Sequence, residues 1–148
     1  MPEYDNVMKR LGRLRPADFV QWIFPQLKPT SVSFEDREFE SASHRVDTLY
    51  LIRSEKEEFY LHLEFQQIYE DYLPARMNEY AARIYNEFHL PVKTVMIFLN
   101  TSPSIRNLEE LCRYEVGGIV LNEFRYSKII LPELHWKDIL DLNLSVLL

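Results

Sequence analysis

The sequence predicts an α/β domain, a mixed β-sheet flanked by helices. Three stretches carry that prediction. Residues 45–66 alternate as two strands around a charged turn, Ser54-Glu55-Lys56-Glu57. Residues 73–88 place Leu73, Met77, Ala81, Ile84 and Phe88 on one helical stripe. Residues 93–100, KTVMIFLN, form a near-continuous apolar run, which marks a central strand covered on both sides.

Taken in order, residues 3–24 carry helical spacing. Val7, Leu11 and Leu14 set one apolar face, and Phe19, Val20, Ile23 and Phe24 resume it after Arg15. Pro16 divides two helices, because the residue before a proline avoids helical geometry while proline suits a first turn. Pro25 ends the second helix. Lys9, Arg10, Arg13 and Arg15 make the first segment basic, which is the ordinary dress of a solvated helix face. Residues 31–40, SVSFEDREFE, alternate and are polar enough for an edge strand. The hairpin strands span 45–53 and 58–66. Helix 73–88 follows, with Pro74 in its first turn, and then the central strand. Residues 105–112 read as a short helix at best. Residues 113–131 read as two further strands around Gly117-Gly118 and Asn122-Glu123, and residues 133–142 as a helix. The whole chain, 1–148, reads as a single domain with a sheet of about four or five strands. Its apolar end, Leu142 to Leu148, finishes without a cap or turn, so continuation past Leu148 stays open.

Composition bounds the function. The formal net charge of -6 argues against a general basic coat for nucleic acid, though a local basic track is compatible with it. A single cysteine, Cys112, excludes an intrachain disulfide and a cysteine-based metal cluster. No apolar run approaches the roughly 20 residues that span a bilayer. The N-terminus lacks the apolar segment of a signal peptide. These features lead to the expectation of a cytoplasmic protein with no membrane and no small-molecule cofactor.

The hairpin gathers the candidate chemistry. If its turn is centred between Glu55 and Lys56, residues that face each other have numbers summing to 111. Asp47 then faces Glu64, and Gln66 shares the Glu64 face because strand side chains alternate. A slip of one residue would separate the two acids. The Asp47 face also carries Leu49 and Leu51, so a carboxylate there needs a counter-charge or a metal. Magnesium takes such carboxylate oxygens. It can polarise a phosphodiester and lower the pKa of a bound water. Gln66 would orient water or phosphate. The plainer alternative makes Asp47 and Glu64 edge carboxylates paired with Arg45, Arg53 or Arg76. His62 shares the Glu64 face and reads as structural.

The order of these motifs resembles the PD-(D/E)xK nuclease superfamily. More narrowly, it is similar to the recombination-promoting nuclease and putative transposase family. YDNVMKRL resembles that family's opening helix, RVDTLYLI its metal-binding Asp strand, LHLEFQ its E-x-Q strand and LPARMNEY its R-M-x-x-Y helix. VMIFLN resembles the strand that follows. The likeness covers residues 4 to 100 well and the rest loosely.

The resemblance implies a restriction-endonuclease-like core. It also implies a DNA endonuclease dependent on Mg2+ or Mn2+. Asp47 and Glu64 match its metal-binding acids and Gln66 its catalytic third position, where the wider superfamily often has lysine. Asp5 matches the acid from the first helix that completes such sites, and equally suits a helix N-terminus. Arg76 and Tyr80 match the helix motif, as phosphate contacts or braces, with core packing an equal reading for Tyr80. Lys9, Arg10 and Arg13 gain a second role beside DNA phosphates. Double-strand cleavage would call for a homodimer. The alternative is a catalytically degenerate module of the same fold that binds DNA or a protein partner without cleaving. A nuclease acting on RNA is a weaker option.

Overall fold

The structure, a computed structural model, describes residues 2–35 and 48–134, with side chains from Val7 onward. It is a mixed α/β fold: a five-stranded sheet with helices on both faces. Two helices open the chain, α1 (Pro2–Leu14) and α2 (Pro16–Ile23). The break at Arg15 falls where Pro16 predicts it, and Arg15 pairs with Asp18 across the first turn of α2 at 2.6 Å.

Three antiparallel strands follow: β1 (Ser31–Glu35), β2 (Thr48–Arg53) and β3 (Glu58–Gln66). Helix α3 (Leu73–Phe88) then crosses over to β4 (Val92–Phe98), which runs parallel to β3. Strand β7 (Ser127–Ile130) closes the sheet beside β4 in the order β1-β2-β3-β4-β7. As its apolar run predicts, β4 is internal, and Thr94 to Phe98 are all buried.

Alternation along β2 and β3 divides the core between the two faces. Tyr50, Ile52, Phe59, Leu61, Leu63 and Phe65 pack with Met8, Leu11, Phe19 and Val20 of the opening helices. Leu49 and Tyr60 point the other way and pack with Ile84 of α3, while Met96 and Phe98 meet Leu73 and Met77. Burying one such side chain contributes about 1.5–3 kcal/mol, so this strict alternation pins the register. On the α1 face Gly12 lies against the Tyr50 hydroxyl so closely that a Cβ at position 12 would collide with it.

The return from β4 to β7 differs from the sequence expectation. The short helix α4 (Pro103–Arg106) starts two residues early and ends at Arg106. Ser102 caps it by accepting from the Ile105 amide at 3.2 Å. The Lys128 ammonium closes its other end, donating to the carbonyls of Ile105, Arg106 and Leu108 at 2.9, 2.6 and 2.8 Å. Leu111 and Cys112 therefore open a strand instead of ending a helix. Residues 111–130 hold three strands, not two. Strands β5 (Leu111–Val116) and β6 (Ile119–Arg125) form a separate hairpin. Gly117 and Gly118 supply its turn with φ of 59° and 77°, values that suit glycine. Only Tyr126 separates β6 from β7. Of the expected helix 133–142, Glu133 ends a short 3-10 turn at Leu131–Glu133, and residues beyond Leu134 lie outside the described ones.

Candidate functional site

The hairpin adopts the expected register. Thr48 faces Leu63, Tyr50 faces Leu61 and Arg53 faces Glu58, each pair summing to 111. This is the register in which the next pair is Asp47 and Glu64. Asp47 itself lies outside the described residues, as does Arg45, and so does the side chain of Asp5 within α1.

Glu64 sits on the face of β3 covered by α3. Its carboxylate is buried, with the residue 6% exposed. Among the described residues it does not pair with an arginine in the manner of an edge carboxylate. Arg53 pairs with Glu58 at 3.4 Å, and Arg76 pairs with Glu70 at 3.4 Å. The partner of Glu64 is His62, whose Nε2 lies 3.0 Å from Glu64 Oε2. Two residues apart on one strand, the two side chains share a face. The imidazole is fully buried, and the Tyr80 ring meets it edge-on at 6.0 Å between centroids. Thr94 is the β4 residue opposite His62 in the ladder and is fully buried too. Thr94 Oγ1 and His62 Nδ1 are both buried without a hydrogen-bond partner among the described residues. A small group of buried polar side chains thus lies inside an otherwise apolar layer between β3, β4 and α3.

Gln66 follows Glu64 on the same face at the end of β3, half-buried, and its carbonyl accepts from the Leu99 amide at 2.8 Å. Helix α3 runs back along the sheet. Tyr80 stands beside His62, and Phe88 stacks on Tyr60 at 4.5 Å. One helical turn, about 5.4 Å, nearly matches the roughly 6.6 Å spanned by two strand residues. Arg76, one turn before Tyr80, therefore lies toward the Glu64 and Gln66 end of β3. The fold thus gathers Glu64, Gln66, Arg76 and Tyr80 on one side of the sheet, with Tyr80 buried in the packing.

Lys9, Arg10 and Arg13 are not brought to that side. They belong to α1, which covers the opposite face, and the Arg13 guanidinium lies over the Phe34 ring at 5.5 Å. A cavity of about 490 Å³ lined by Leu27, Lys56, Phe59, Pro91 and Lys93 opens at the far end of β3, six residues or about 20 Å from Glu64. It has no part in the Glu64 cluster.

From the sequence His62 reads as structural. The signal that ties it to Glu64 is the two-residue spacing, which on a strand means a shared face. Among the described residues, no group of three or more His, Cys, Asp and Glu side chains is placed to hold a metal ion. Nor, among them, is any helix long and apolar enough to cross a membrane. Comparison with family models, curated proteins and solved structures found no significant match.

Proposed function

We propose that the protein is a metal-dependent DNA endonuclease with a restriction-endonuclease-like core, of the recombination-promoting nuclease and putative transposase type, acting in the cytoplasm. The observation that carries this reading is the buried Glu64 carboxylate, which among the described residues takes its hydrogen bond from His62 and not from an arginine. An anion held in an apolar layer calls for a positive partner. The antiparallel run β1-β2-β3, the α3 crossover and the parallel β4 agree with the order of elements in the proposed core.

The described donor, the Glu64 carboxylate, is a hard oxygen ligand of the kind Mg2+ or Mn2+ takes. Glu64 offers a carboxylate oxygen, and Asp47 would offer the second from the facing strand in the 111 register. Mg2+ or Mn2+ bound there would activate water and stabilise the departing oxygen of a phosphodiester. Asp5 is the further acid the resemblance implies, although it belongs to α1, whose described side chains cover the other face of the sheet. Gln66, an amide, cannot act as a base near neutral pH; it orients the water or the phosphate by hydrogen bonds. Arg76 neutralises phosphate charge on the same side of the sheet. Lys9, Arg10 and Arg13 on the other face would serve DNA only where it passes the edge of the domain. A homodimer would supply the two sites that double-strand cleavage needs.

One observation favours a second reading, a module of this fold that binds without cleaving: the third position is Gln66, with no lysine to assist water. Plasmid nicking with and without Mg2+ separates the two. The nuclease reading expects nicking by the wild type and its loss in Asp47→Ala and Glu64→Ala. Activity surviving in both variants would overturn it.

A further inference from the structure

We propose that His62 is a positioning residue for Glu64: it holds one carboxylate oxygen and thereby presents the other to the divalent cation. This rests on the metal-binding reading above. The geometry is specific. A carboxylate accepts hydrogen bonds, so at 3.0 Å the imidazole Nε2–H donates to Glu64 Oε2. This is the one hydrogen bond of the Glu64 carboxylate among the described residues.

The ring itself is set by packing. It is fully buried, Tyr80 meets it edge-on, and its other nitrogen has no hydrogen-bond partner among the described residues. Among the described residues its polar contact is therefore directed at Glu64 alone. A histidine serving only as core filler is a poor choice at such a place, since an apolar side chain would avoid the cost of a buried imidazole. Bonded to one carboxylate oxygen, it removes the rotation that would otherwise average the position of the other. Partners of this kind govern the orientation of a ligating group and tune metal affinity. Thr94, opposite His62 on β4, adds a hydroxyl to the same buried layer.

The test is calorimetric titration of Mn2+ into the full chain, with thermal melts alongside, for wild type, Glu64→Gln, His62→Phe and His62→Gln. Glutamine keeps an N–H donor near the Nε2 position, and phenylalanine keeps only the ring. The expected result is binding by wild type, loss in Glu64→Gln, weakening of about tenfold or more in His62→Phe, and affinity within about threefold of wild type in His62→Gln. A folded His62→Phe that binds Mn2+ like wild type overturns the role of His62 and leaves the Glu64 reading standing. Equal weakening in both His62 variants also overturns it, because packing and not the donor would then be at work. Failure of the wild type to bind, or binding by Glu64→Gln as tight as wild type, removes the underlying metal site. If His62→Phe does not fold, the wild type decides by nitrogen-15 NMR. Saturating Mg2+ should shift the His62 Nε2 resonance, and an unmoved resonance would overturn the proposal.

Discussion

His62 and Glu64 stand two residues apart on β3, joined by a 3.0 Å hydrogen bond in a layer where both are almost completely buried. A buried carboxylate is costly to keep ionised, and a single hydrogen bond offsets that cost only in part. Glu64→Gln preserves an acceptor for His62 and removes the charge. In the absence of divalent cations the variant should be at least as stable as wild type, by up to about 1 kcal/mol. Urea unfolding in EDTA checks this. A loss of more than about 2 kcal/mol would mean that the charge has a strong partner.

The packing of α1 on the sheet depends on Gly12 having no side chain. A Cβ there would collide with the Tyr50 hydroxyl, and Tyr50 is fully buried. Gly12→Ala should destabilise by about 1–3 kcal/mol despite the higher helix propensity of alanine. The Tyr50 hydroxyl has no hydrogen-bond partner among the described residues. Tyr50→Phe alone should therefore be neutral or stabilising, and in combination it should recover most of the loss. A double-mutant cycle with no coupling would contradict the contact.

The same tyrosine gives the fold an alkaline limit. Burial raises the Tyr50 pKa well above the ordinary tyrosine value, with the Arg13 charge opposing the shift weakly, and burial raises Tyr126 likewise. In the unfolded chain both ionise near pH 10. Their contribution to stability is complete below that pH and is lost as pH rises toward the raised native values, because the native state then holds the extra protons. For the deeply buried Tyr50 the cost is about 1.4 kcal/mol per pH unit in that range. Denaturation curves at pH 9 and 11 should show a smaller decline in Tyr50→Phe than in wild type. Equal declines would show that Tyr50 ionises freely in the native state.

Period-two alternation made the central hairpin legible, including its register, because a slip would have taken Leu61 and Leu63 out of the layer under α1 and α2 and put His62 and Glu64 there. The helix at 73–88 was equally plain from its stripe and from Pro74. The β5–β6 region was not. Tyr126 alone separates two strands, without a glycine, proline, asparagine or aspartate to mark the change of direction. The end of α4 was hidden for a related reason: the Lys128 ammonium that takes its carbonyls comes from 22 residues further along the chain. At the candidate site, alternation placed Glu64 and Gln66 on one face. It gave no weight to His62, since a single buried histidine has no period of its own. Nor could alternation tell that α1 carries Lys9, Arg10 and Arg13 to the opposite face, because that depends on which way the chain packs back onto the sheet.

The most direct test of the account is a crystal grown or soaked with Mn2+ and measured for anomalous scattering. The expected result is a peak bound by the carboxylates of Asp47 and Glu64, with the His62 bond to Glu64 retained. A fully occupied soak that leaves Glu64 bonded only to His62, with no peak beside it, would contradict the proposed metal centre.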